Sequence, residues 1–295
     1  MTGGDGTTVT AEMLIDQRRA VLKQMRTPPP TSALPGGFAI SKRGQGQVIA
    51  DSRVFVQGDE IRYVDRGATA RSGILHVRTF HEERDRVTFL VADFRPSMLW
   101  GMRRAFRSVA AAEALAWLGW QSVEAGGRVG LLAITAEAPL IVGTRGGTRG
   151  MLAVIGGLVQ AHDSAMRAAL AAAGQSTRLD EPQLGQALDG LKRIVPRGGS
   201  VVIASALDRL GEGFDAVVGN LSRYHRPMFL LIEDRALQEL PSGHYPIRGP
   251  DGRRRAARFR SAAARPDAAR KVDGYDLLRI DAGMPTHDAM TQAWG

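Results

Sequence analysis

An acid, an arginine and a hydroxyl stand close together in Asp93-Phe94-Arg95-Pro96-Ser97-Met98, directly after the apolar run Val87–Asp93. An acid at the end of a buried strand, with a hydroxyl four residues on, supplies the oxygen ligands of a hard-cation site open to a partner's carboxylate. The competing reading of the same residues is a helix cap, since Asp and Ser both accept backbone N–H bonds. Arg95 complicates the first reading. A guanidinium two residues from Asp93 can pair with it in a bidentate fork and place positive charge where an ion would sit.

Other chemistry is sparse. Gly143-Thr144-Arg145-Gly146-Gly147-Thr148-Arg149-Gly150 resembles a phosphate cradle at a helix start, but lacks the Gly-Lys-Ser/Thr ending. A loop crossing the sheet is its plainer reading. His81-Glu82-Glu83 reads as a charged face before it reads as a metal pair. The six histidines have no helical ligand spacing, and there is no Gly-x-Ser-x-Gly, His-Glu-x-x-His or Walker motif. The absence of cysteine removes disulfides, thiolate zinc sites and thiol nucleophiles. These observations predict a protein that is not an enzyme and needs no cofactor.

The elements that must position Asp93 follow from the pattern. Val87–Asp93, Ser200–Leu207 and Met228–Glu233 are short, nearly continuous apolar runs, as in strands buried on both faces. Arg128–Thr135 and Pro139–Gly143 form a hairpin-like pair. Helical stretches are expected at about 102–124, from the glycine-rich turn to Ala173, over Pro182–Val195 and over Gly213–His225, with Tyr275–Asp281 and Thr286–Trp294 adding a last strand and helix. Alternating strands and helices predict an α/β fold, a mainly parallel central sheet with helices on both faces. Ligands of such sheets bind beyond the strands' carboxyl ends, so the loops after Asp93, Gly143 and Leu207 are where function is expected. Ahead of this domain (86–295) the reading places a disordered start (1–9), then an N-terminal helix and a small β-rich extension (10–85).

The chain has 295 residues and a formal charge of +9, carried by 35 arginines and only four lysines. Its densest basic stretch, Arg248 to Lys271, has nine basic residues against Asp251 and Asp267. Arginine is spread along the chain and aromatics make up 6%, which disfavours a nucleic-acid surface with stacking platforms. No apolar run approaches the ~20 residues of a spanning helix. The start has no signal-peptide pattern, so a soluble, cytoplasmic protein without a membrane span is expected.

A longer constellation carries a resemblance. Gly58-Asp59-Glu60-Ile61-Arg62-Tyr63-Val64-Asp65 is followed by Ala68-Thr69-Ala70-Arg71-Ser72-Gly73 and by Ile74-Leu75-His76-Val77-Arg78. Then come Glu82-Glu83-Arg84, Asp93 with Pro96-Ser97-Met98, Gly101 with Arg103, Phe106 with Ser108, and Gly127–Leu132, in order. This resembles a bacterial family known as domain of unknown function 58, firmly over 43–134 and more loosely to Leu231. The resemblance implies a von Willebrand factor type A-like domain with a β-rich extension, acting as an adaptor beside a MoxR-type AAA+ ATPase and a client that the sequence does not name. It also implies a metal-ion-dependent adhesion site, Asp-x-Ser-x-Ser with a distant Thr and Asp. Asp93 and Ser97 match its first and last positions, but Arg95 replaces the middle serine and Ala206 the distant acid, with Asp208 two residues late. Thr144 or Thr148 would supply the threonine, and Arg145 and Arg149 would join Arg95 in binding an acidic side chain. The family's Asp-Trp is changed to Asp65-Arg66. No metal is expected; if one binds, Asp93, Ser97 and Asp208 would hold it. In the extension, Gly58-Asp59 is expected to turn the Asp59 carboxylate toward Arg62 or Arg71. The rival readings are a metal-dependent enzyme on Asp93, Ser97 and Asp208, and a nucleic-acid binder on Arg248–Lys271.

Overall fold

The computed structural model describes residues 6–26, 49–56, 61, 64–80, 86–175, 177, 179–238, 241–248, 254–259, 272 and 274–294. The chain divides into two units, 39–85 and the remainder, which joins 1–38 to 86–295.

In the smaller unit, β1 (Ile49–Val54) pairs antiparallel with β2 (His76–Phe80). Between them lies α2 (Arg66–Ser72). Asp65 caps this helix, its carboxylate accepting from the backbone N–H groups of Gly67 and Ala68 at 3.0 Å each. Gly73 ends it at φ 71°, a left-handed conformation that favours glycine. Of the motif residues, Asp65 and Gly73 are thus helix caps, while Ala70 and Arg71 are exposed on the helix. Gly58, Asp59 and Arg62, with the expected turn, lie outside the described residues.

The larger unit is built on six strands. They are β3 (Val87–Asp93), β4 (Arg128–Ile134), β5 (Leu140–Gly146), β6 (Ser200–Ser205), β7 (Arg226–Glu233) and β10 (Asp276–Asp281). Their order is β10-β7-β6-β3-β4-β5, parallel except for the edge strand β5. Every residue of β3 is buried. Alternation sends Leu90 and Ala92 into one core and Phe89 and Val91 into the other. The first core is covered by α3 (Arg107–Glu124), α4 (Gly147–Gly174) and α9 (Thr286–Trp294). The second is covered by α5 (Leu184–Leu188), α6 (Leu191–Ile194) and α7 (Phe214–Ser222). The α/β fold with helices on both faces is therefore present. Close packing shows at Gly119 of α3, where a Cβ would come within 2.6 Å of the Met151 sulfur.

Several expectations change. The N-terminal helix, α1 (Ala11–Arg26), belongs to the large unit rather than to an extension spanning 10–85. Leu14 and Val21 are buried in the α3 core, Trp120 Nε1 donates to the Leu14 carbonyl at 3.0 Å, and Arg18 pairs with Glu124 at 2.7 Å. Expected disorder over 1–9 gives way at Gly6, whose carbonyl accepts from Phe106 N at 2.8 Å, and at Val9, which is buried. Helix α3 starts later than 102 because the preceding amides bond elsewhere, Met102 N to Asp234 and Arg107 N to the Trp100 carbonyl. The expected helix over 182–195 is two short ones, parted at Asp189-Gly190.

A short helix, α8 (Arg235–Gln238), follows β7, and β8 (Gly243–Arg248) pairs antiparallel with β9 (Arg254–Phe259) as a separate two-stranded sheet. Its register sets Arg248 opposite Arg254 and His244 opposite Arg258. Residues 249–253 and 260–271 of the basic stretch lie outside the described residues.

Ile203 is fully buried in β6, so Ile203→Ala is expected to cost about 2–5 kcal/mol in urea unfolding through the cavity it leaves. A second expectation concerns His225, buried between α7 and β7. Burial holds its pKa below the ordinary 6.5, the Pro196 backbone opposing this only in part and the charge of Arg197 adding to it. The unfolded chain binds a proton more readily than the native one, so this contribution is complete above about pH 6.5 and is lost as pH falls below that value. His225→Phe should shrink the difference between unfolding midpoints measured at pH 7 and pH 5.

Candidate functional site

The site forms where the chain leaves β3. From β3 the sheet is extended on one side by β4 and on the other by β6, so loops at the carboxyl ends of β3 and β6 diverge around a crevice. Asp93 ends β3 and Ser205 ends β6. Both are buried. Pro96–Met98 then makes a single 3₁₀ turn.

Arg95 is 0% exposed, folded back on Asp93. Its Nε lies 2.9 Å from Asp93 Oδ1 and its Nη2 2.8 Å from Oδ2, a bidentate fork. Nη2 also donates to the Asp208 carbonyl at 2.8 Å, and Nη1 to the carbonyls of Pro182 at 2.8 Å and Arg209 at 3.4 Å. All five guanidinium N–H donors are thereby directed at oxygens. Glu181 Oε1 lies 3.6 Å from Nη1 and accepts from Ser97 Oγ at 2.6 Å. Burial alone would lower the Arg95 pKa, but the Asp93 hydrogen bond and the charges of Asp93, Glu181 and Asp208 outweigh it and hold it above its ordinary value.

The carboxylate is equally occupied. Oδ1 accepts from Arg95 N (3.1 Å) and Nε, and Oδ2 from Nη2 and Ser205 Oγ (2.6 Å). Four accepted bonds use the roughly four lone-pair directions of a carboxylate. The residues therefore do not fit a divalent ion. The pairing lone pairs are taken, and a positive group already fills the space beside them.

The loop after β6 is shaped to this pair. Leu207 and Arg209 have φ of 55° and 48°, left-handed values that cost about 1–3 kcal/mol at non-glycine residues and persist only when neighbours enforce them. They bracket Asp208, whose carbonyl faces Arg95 while its carboxylate meets Arg107 at 3.1 Å. Arg107 stacks over Trp100 at 4.2 Å. Ser205 Oγ accepts from Leu207 N at 2.9 Å, and Ala206 N donates to the Met98 sulfur at 3.3 Å. The segment entering α5 joins in, with Leu184 N on the Arg209 carbonyl and Gly185 N on the Leu210 carbonyl.

Of the residues expected at the site, Asp93, Arg95, Ser97 and Asp208 come together. Thr144, Arg145, Thr148 and Arg149 do not. Strand β5 is antiparallel, Leu140 pairing with Ala133 and Gly146 with Arg128, so the 143–150 segment lies at the amino end of β4, opposite Asp93. Arg95 is also enclosed and fully bonded, which corrects the expectation that it meets a partner's acid directly. Glu181, Ser205 and the Pro182 carbonyl were not anticipated. Ser97 and Glu181 are 84 positions apart, so no local pattern couples them. No cluster of three or more metal-binding His, Asp or Glu side chains occurs among the described residues.

A family model described as "Protein of unknown function DUF58" matches residues 51–273. The uncharacterized protein Rv1480 of Mycobacterium tuberculosis (strain H37Rv) is 30% identical over 165 residues, 55% of this chain and 47% of that protein. The uncharacterized protein Mb1516 of Mycobacterium bovis gives the same figures. The chain thus spans about half the length of the curated relatives it matches. Among solved structures, a conserved hypothetical protein BatB from Bacteroides thetaiotaomicron aligns with 70% of this chain and 96% of its own, at 11% identity and a TM-score of 0.42. No helix among the described residues is long and apolar enough to cross a membrane.

Arg95→Met would leave Asp93 buried without its countercharge, and a loss of about 3–5 kcal/mol is expected. Chemical denaturation of the full chain measures it. A variant as stable as the parent would mean that Asp93 finds its counterion elsewhere.

Proposed function

The chain belongs to the family of proteins of unknown function DUF58, and from that membership we propose that it is a non-enzymatic adaptor with a von Willebrand A-like domain that serves a MoxR-type AAA+ ATPase. The observation that carries this reading is the closed Asp93–Arg95 pair at the carboxyl end of the sheet. A catalytic carboxylate must reach substrate, water or metal, and here its acceptor capacity is spent within the protein. What remains for function is the outer surface of the loops around the pair. That surface presents Met102, Arg103 and Arg209 as exposed side chains beside half-buried Trp100. An apolar and cationic rim of this kind suits an acidic, partly apolar protein surface.

The adhesion site of this reading is degenerate. Docking then relies on direct protein contacts and not on an ion shared between partners. Binding to the MoxR-type ATPase, measured by calorimetry or interferometry, is expected to be unchanged by a chelator. Arg209→Glu should weaken it roughly tenfold or more, because a like charge then faces the acidic partner. Binding that vanishes with chelator and returns with magnesium would refute this mode of docking.

A further inference from the structure

Eight oxygens gather around one buried guanidinium or around the acids that hold it. Arg95 is contacted by both oxygens of Asp93, by the carbonyls of Pro182, Asp208 and Arg209, and at 3.6 Å by Glu181 Oε1. Ser205 Oγ and Ser97 Oγ stand behind them, bonded to Asp93 and Glu181. Without the guanidinium, this shell of two carboxylates, backbone carbonyls and hydroxyls is the ligand chemistry of a hard cation. Three of these oxygens are backbone carbonyls that converge on the one side chain, and an acceptor left without its donor in such a partly buried place is costly. The left-handed Leu207 and Arg209 show that the loop is held in this arrangement against local backbone preference.

We infer that the Asp93 crevice is a cation cage whose resident cation is the side chain of Arg95. The vacated cage would take a free guanidinium ion or a hard divalent cation, and the intact protein takes neither. Because the cation is covalently part of the β3–α3 loop, the loops around 93–98, 181–185 and 205–210 have one liganded state and cannot be emptied by a chelator. The inference rests on this geometry alone and is independent of which partner the protein serves.

Chemical rescue tests it. Full-length protein and Arg95→Ala are melted with millimolar guanidinium chloride, calcium chloride or magnesium chloride, and with sodium chloride at matched ionic strength. Wild type is expected to be unmoved by all of them. Arg95→Ala is expected to melt lower and to rise by several degrees with guanidinium or a divalent ion, as binding to the native state alone requires. A folded variant that no cation raises overturns the inference, and so does a wild-type protein stabilised by a divalent ion. Should Arg95→Ala not fold, nuclear magnetic resonance of the wild type decides. Separate, slowly exchanging Nη protons of Arg95 support the cage, and a single averaged, rapidly exchanging signal refutes it.

Discussion

The buried fork between Asp93 and Arg95 organises the large unit's working end. Both groups have lost nearly all contact with water, and each unpaired charge in that position would cost several kcal/mol. The pair is tolerable because geometry and hydrogen bonding are complete on both sides. The consequence is long-range. One guanidinium satisfies carbonyls from the segment before α5 and from the loop after β6, while its partner acid ends the central strand. Three segments far apart in sequence are thereby tied to one point.

Such a pair adds less to stability than its hydrogen-bond count suggests, since desolvation offsets much of the attraction. Its effect is on specificity of conformation. Loops at the carboxyl ends of parallel strands are ordinarily the adaptable part of an α/β domain. Here Leu207 and Arg209 occupy left-handed conformations that isolated peptides avoid, and they do so on either side of a carbonyl bonded to Arg95. The neighbouring loop before α3 is fixed by other means. Asp234 accepts from Met102 N, and Arg104 forks onto Glu113, which also receives the Thr286 hydroxyl. The end of the sheet is thus held rigid by ionic and polar contacts above an apolar core.

Much of this was legible in the sequence. Val87–Asp93, Ser200–Leu207 and Met228–Glu233 read as buried parallel strands because an apolar run without alternation has no solvent face to serve. The two-residue spacing of Asp93 and Arg95 allowed a fork, but it allowed equally an Arg95 pointing to solvent. The hairpin of β4 and β5 was also visible, and it carries the reason that the glycine-rich segment was misplaced. Residues 135–139 are too short for a parallel crossover, so β5 must run backwards and deliver Gly143–Gly150 to the far end of the sheet. Glu181 and the Pro182 carbonyl were illegible for a different reason. They reach the site through tertiary folding of a segment between α4 and α5 that has no periodicity of its own. The place of α1 was hidden likewise, since its apolar stripe announces burial without naming the helix it covers.

What distinguishes a side-chain cation from a bound one is the entropy of holding it. A free ion must be recruited against dilution and stripped of its water, so its cage is filled only while its concentration allows. A guanidinium tethered two residues from its carboxylate is present at a high effective concentration and loses only rotamer freedom. It also spreads one charge over a plane with five donors, where a divalent ion concentrates two charges at a point. The cage therefore balances two carboxylates with one buried cation. Glu181 accordingly stands back at 3.6 Å from the guanidinium and accepts the Ser97 hydroxyl with the same oxygen, instead of closing a full coordination sphere.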